Sequence, residues 1–160
     1  MYERIFVPLD GSEVGEAALP YVEDLVSKLK PEVNVEVILF QVIPKMIHHV
    51  MGGEGTADIP YTEEVIRENK EKVMNYLNRV GETLRNKGAT VTVKVALGGI
   101  AAEEIIKAAD EVKANLIAIS THGRSGLSRW VFGSVTEKVL RHEETVPVVV
   151  VRARKHTSKA

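Results

Sequence analysis

The feature that most limits what this chain can become is a regular alternation of two patterns. Ile5 to Leu9, Val33 to Val42, Val91 to Val95, Leu116 to Ile119 and Val146 to Val151 are short apolar runs rich in β-branched residues, and each reads as a strand. Between them, apolar residues recur at helical spacing. Val14, Ala17, Ala18, Tyr21, Val22, Leu25 and Leu29 line one face of a helix, and Ile66, Val73, Leu77, Val80 and Leu84 line a second. Two more helices run from about Ala101 to Val112 and from about Ser134 to His142. The order β-α-β-α-β-α-β-α-β predicts a parallel sheet, because each parallel connection must cross over through a helix. Unbroken apolar strands such as Leu116 to Ile119 agree with burial on both faces. The expected fold is α/β: a single-domain, doubly wound, five-stranded parallel sheet with helices on both faces, Rossmann-like in architecture. In such a sheet the ligand site lies outside the carboxyl ends of the strands, where the strand order reverses.

Composition narrows the function classes. A chain of 160 residues is one domain, taken as residues 1–152 followed by a disordered basic tail, 153–160. With 21 Lys+Arg against 22 Asp+Glu, the formal charge of −1 argues against a partner that is bulk nucleic acid or an anionic membrane. The chain has no Cys, which excludes disulfides and thiolate chemistry and fits a reducing cytoplasm. No apolar run is long enough to span a bilayer, and Met-Tyr-Glu-Arg leads directly into a strand without a leader-like segment, so a cytoplasmic protein is expected. Pro44 to Pro60, with Gly52, Gly53 and Gly55, is long for a connection in a small domain. It reads as a mobile loop, partly helical, able to fold over a site.

The carboxyl ends of the strands hold the candidate chemistry. Asp10, in Pro8-Leu9-Asp10-Gly11-Ser12, can hold a ribose hydroxyl or a metal-bound water, or can simply close the turn with Ser12. Gly98-Gly99 precedes a helix and permits close approach of a ligand, or a plain tight turn. The strongest segment runs from Ser120 to Thr136: hydroxyls, glycines and two arginines after a buried strand, with a helix starting at the far end. Phosphate binding needs such parts, namely backbone N–H groups exposed by glycine, a positive helix terminus and hydroxyl donors. From Val112 to Thr136 there is no acid, while Lys113, Arg124 and Arg129 are present. Ser134-x-x-Glu137 also fits a capping box, which satisfies helical N–H groups without a ligand. His122 reads first as a loop histidine, and Trp130 with Phe132 as a packing patch. Walker A, Gly-x-Gly-x-x-Gly, His-Glu-x-x-His and Gly-x-Ser-x-Gly motifs are absent, and adjacent His48-His49 point in different directions on any regular element.

These residues resemble the universal stress protein family over nearly the whole chain, from Tyr2 to Arg152. ATP-binding members carry Gly, two residues, Gly, nine residues, then Gly-Ser or Gly-Thr. Here Gly123 and Gly133-Ser134 have nine residues between them, and Ser120 stands where the family has its first glycine. The resemblance implies an adenine nucleotide alpha hydrolase-like fold and ATP or AMP as ligand. It implies that Asp10 meets the ribose or phosphates, that Val42 contacts adenine through its backbone and that Gly99 borders the ribose. Gly123 and Gly133 would present N–H groups to the phosphates, Ser134, Val135 and Thr136 would bind them at the helix start, and Ser120 and His122 would line the same loop. A Mg²⁺ or Mn²⁺ ion would be held mainly by phosphate oxygens. The family pattern further implies a homodimer through the last strand, Val146 to Val151, whose open edge invites pairing.

The function expected is a nucleotide-binding stress-response regulatory module acting on an unidentified protein partner. The alternatives are a dimeric interaction protein with a non-binding cleft and a slow ATP hydrolase. The second lacks a P-loop lysine and a positioned nucleophile, so any hydrolysis is expected to be weak at most.

Overall fold

In the computed structural model, which describes residues 3–29, 33–45, 47–52, 55–122 and 133–153, the central sheet has five parallel strands. They are β1 (Arg4–Leu9), β2 (Glu36–Ile43), β5 (Thr90–Leu97), β6 (Leu116–His122) and β7 (Val148–Ala153), in the spatial order β5-β2-β1-β6-β7. The chain builds outward from β1 in one direction, then returns to its other side, so the order reverses between β1 and β6.

The period-2 alternation of the strands explains why two cores form. Ile5, Val7 and Leu9 face one side with Val37, Leu39, Leu116 and Ala118, under α1 (Leu19–Lys28), α2 (Glu63–Val80) and α3 (Glu82–Asn86). Phe6 faces the other with Ile38, Phe40, Ile117 and Ile119, under α4 (Ala101–Glu111) and α5 (Ser134–His142). The rings of Phe6 and Phe40 lie 5.2 Å apart, inside the range where aromatic pairs add to simple burial. Leu77, from the helical stripe of α2, is fully buried and fixes that helix on the sheet.

Two expectations change. The first helix does not run unbroken from Val14: a 3₁₀ turn, Gly15–Ala18, precedes α1. Pro20 has no N–H to return to the Glu16 carbonyl, and Leu19 N–H takes that carbonyl with the tighter spacing instead. The segment Pro44 to Pro60 is not an irregular or helical loop. It contains an antiparallel hairpin, β3 (Ile47–Gly52) and β4 (Gly55–Pro60), in register from Ile47↔Pro60 to Gly52↔Gly55. A glycine-rich tetrad between two extended runs is a hairpin signal, and glycine at its ends outweighed the loop reading. Thr62 then starts α2, its hydroxyl accepting from the Val65 N–H at 3.4 Å.

Candidate functional site

The reversal of strand order is also where β1 and β6 part. Arg4 presents its N–H and C=O to the β6 side, bonded to Asn115, so Phe6 and Pro8 face that side as well. Pro8 has no N–H to donate. The β1–β6 register covers Ile5↔Leu116 and Phe6↔Ile117 and stops there, whereas β1 stays paired with β2 through Leu9↔Gln41. A proline in a central strand thereby coincides with a gap at the carboxyl ends, and a cleft of about 260 Å³ occupies it.

One wall of the cleft is Pro8, Leu9, Asp10, Val14 and Gly15; the base is Val42, Ile119, Ser120 and Thr121; Ala101 and Ile105 of α4 close one side, and Gly133, Ser134, Val135 and Thr136 at the start of α5 form the other wall. Seven expected residues therefore come together: Asp10, Val42, Ser120, Gly133, Ser134, Val135 and Thr136. Gly99 does not line the cleft, and Ala101 two residues on does so. Gly99 instead takes a left-handed turn at φ +84°, where a Cβ would meet Glu104 Oε1 at 2.6 Å. His122 ends β6, while its side chain and Gly123 lie outside the described residues, as do Trp130 and Phe132.

The first wall is closed by its own polar groups. Asp10 Oδ1 accepts from the Ser12 N–H at 2.9 Å and from the Ser12 hydroxyl at 2.6 Å, and Ser12 Oγ in turn accepts from the Gly15 N–H at 3.0 Å. The turn-closing reading of Asp10 is thus realised through Oδ1, and Asp10 also lines the cleft. A Cβ at Gly15 would collide with this carboxylate, so the tight turn needs glycine there. Behind the wall, Tyr76 of α2 donates its hydroxyl to Glu16 at 2.9 Å. Burial, followed by the Glu16 hydrogen bond and the nearby Glu16 and Asp10 charges, pushes its phenol well above the ordinary range and keeps it a neutral donor.

The second wall is left open. The N-cap of α5 is Gly133, not Ser134, and no side chain caps it; Glu137 pairs with Arg141 at 2.8 Å instead of reaching back, so the capping box is not formed. The Gly133 N–H is committed to Thr121 Oγ1 at 3.3 Å. The Thr136 hydroxyl donates inward to the Ser120 carbonyl at 3.2 Å. What remains directed outward is the set of N–H groups of Ser134, Val135 and Thr136, which have no intrahelical acceptor and no partner among the described residues. Their partial positive charge favours an anion. Among the described residues no group of three or more His, Asp or Glu is placed to hold a metal ion, and no described helix is long and apolar enough to cross a membrane.

Sequence reasoning missed Pro8, Gly15, Thr121 and Ile105. Pro8 was the visible signal, since an interior strand seldom carries proline; Ile105 emerges only once α4 is laid over the sheet.

Comparison with known proteins agrees with this geometry. The family model for the universal stress protein family matches residues 1–152. Universal stress protein MJ0577 from Methanocaldococcus jannaschii is 30% identical, covering 96% of this chain and 97% of its own. Its solved structure superposes with a TM-score of 0.71, at 28% identity, over 97% of this chain and 99% of that one. Universal stress protein MJ0531 from the same organism is 28% identical over 97% of this chain and 85% of its own. A universal stress protein from Archaeoglobus fulgidus, solved in complex with dAMP, shares the fold with a TM-score of 0.60, at 24% identity, over 94% of this chain and 98% of that one. The chain belongs to the universal stress protein family.

Proposed function

We propose that the cleft binds an adenine nucleotide, ATP or AMP, and that the protein is a homodimeric stress-response regulatory module whose surface changes with the bound ligand. The observation that carries this reading is the start of α5: three N–H groups without partners among the described residues, at the strand-order reversal where doubly wound sheets bind ligands. The dAMP complex of the Archaeoglobus fulgidus relative supports the ligand class. Phosphates sit against Ser134, Val135 and Thr136, Asp10 meets the ribose or phosphates, and the base lies toward Val42 and Ile105. A Mg²⁺ or Mn²⁺ ion is carried by phosphate oxygens. The Ser120 hydroxyl is engaged by the Gly15 carbonyl and the Ala18 N–H, which supports reading this serine as part of the wall structure of a binding cleft. The outer edge of β7 has no ladder partner among the described residues and supplies the dimer contact.

The test is to denature purified protein, identify any released small molecule by mass spectrometry, and titrate emptied protein with ATP and Mg²⁺ by calorimetry. An adenine nucleotide at near-stoichiometric yield, or saturable binding, is expected. Absence of both removes the nucleotide reading, and a monomer in sedimentation at micromolar concentration removes the dimer.

A further inference from the structure

We propose that Ser120 is a positioning residue that couples the two walls of the cleft, one wall through its side chain and the other through its main chain. The consequence for binding rests on the nucleotide reading above; the coupling itself does not.

The Ser120 hydroxyl donates to the Gly15 carbonyl at 2.7 Å and accepts from the Ala18 N–H at 2.8 Å. It is bracketed by a carbonyl and an amide three residues apart in the same 3₁₀ turn, more than a hundred residues away in sequence. Its proton is spent and a lone pair is filled, so the side chain has no donor to offer a phosphate. The Ser120 carbonyl meanwhile accepts from Thr136 Oγ1, and the next residue, Thr121, accepts from the Gly133 N–H at the α5 cap. Ala18, Thr121 and Thr136 are all buried. Two consecutive residues at the end of β6 therefore hold the Asp10–Ala18 wall on one side and the α5 wall on the other.

A glycine at position 120 keeps the carbonyl contact and loses the hydroxyl bridge. The buried Ala18 N–H and the Gly15 carbonyl then have no side-chain partner, which is unfavourable for both. The serine is thus not a blemish on a phosphate-binding loop: it replaces closeness of backbone approach with a hydrogen-bonded brace, and the position of the first wall, with Asp10 on it, depends on that brace.

The experiment uses full-length Ser120→Ala, Ser120→Gly and Ser120→Thr proteins, compared with the unaltered chain. In the ligand-free proteins, amide exchange at Ala18 is expected to accelerate about tenfold in the Ala and Gly variants, as loss of a hydrogen bond of ordinary strength dictates. The Glu137 amide, bonded to the Gly133 carbonyl in the opposite wall, accelerates as well. The amide of fully buried Ile117, bonded to the Pro147 carbonyl, serves as the internal standard. ATP affinity with Mg²⁺ present is expected to fall about tenfold in the Ala and Gly variants and to be restored to within about twofold by Thr, which keeps the hydroxyl. Unchanged exchange at Ala18 or at Glu137 in Ser120→Ala overturns the coupling, whatever ATP does. Glycine binding ATP as tightly as serine, or more tightly, overturns the positioning role. If exchange responds as expected and the unaltered chain binds no ATP, the coupling is upheld and the nucleotide reading fails.

Discussion

Two helices of this protein begin in opposite ways. At α2, outside the cleft, Thr62 lends its hydroxyl to the Val65 N–H, and Glu63 and Glu64 place negative charge in the first turn. That terminus carries a capping hydroxyl and acidic residues of its own. At α5 the cap is Gly133, no side chain folds back, and Glu137, the first acid, turns along the helix to Arg141. The terminus capped by a side chain lies outside the cleft, and the start of α5, with no capping side chain, faces the gap between β1 and β6.

Converting one terminus into the other is the most severe way to break this contrast. Gly133→Asp places a carboxylate where an anion would sit, and among the described residues nothing lies within 4 Å of a Cβ there. Calorimetry should show ATP affinity reduced about a hundredfold, because like charges would be juxtaposed at the site. Thermal or denaturant unfolding of the same variant should show a gain of about 0.5 kcal/mol, as expected when Asp replaces Gly at an N-cap. Tighter binding in Gly133→Asp would mean that α5 does not receive the anion. The reverse conversion is smaller. Thr62→Ala should cost about 1 kcal/mol of stability and leave ATP affinity unchanged, whereas Ser134→Ala should leave stability within about 0.5 kcal/mol; equal losses at the two sites would erase the distinction. The mildest test concerns the far end of α5. Burial raises the Glu143 pKa, but the N–H groups of Val146 and Thr145 and the Thr145 hydroxyl outweigh it and hold the carboxyl below its ordinary value of 4.5. A depressed carboxylate adds stability above its unfolded pKa and loses it as pH falls through the folded one. Melting curves of the unaltered chain and Glu143→Gln should therefore differ at pH 6 and draw together as pH falls below 4.5 through the lowered pKa.

Strands and helices of the sheet were legible because their apolar periods are long and unambiguous, as at Leu116 to Ile119 and along α2. The hairpin was not, because His48, His49 and Asp58 carry no clear alternation and only the Gly52-to-Gly55 turn announces it. At the site, Asp10 and Ser134 to Thr136 were visible as residue types at strand and helix ends. What the sequence alone did not disclose was how each polar group would be used. Ser134 has the spacing of a cap, but the chain enters α5 one residue earlier, so Gly133 takes that place. Ser120 looked like a minor departure in a glycine position, and only the folding of the Gly15–Ala18 turn across β6 gives its hydroxyl two partners. Local pattern specifies elements, while the partners of a hydroxyl depend on segments a hundred residues away.

The strand order β5-β2-β1-β6-β7 has a consequence for the protein as it is being made. A ribosome delivers β1, β2 and β5 of the central sheet first, and these three are neighbours, so three of its five strands can assemble while the rest is still unsynthesised. Through that interval the β6 side of β1 is an open edge, a surface on which nascent chains can aggregate. The cleft walls belong to opposite halves, and the later one arrives with α5. The cleft is therefore complete only once α5 has been made, and any product ending before β6 is a partial fold that leaves one edge of β1 open.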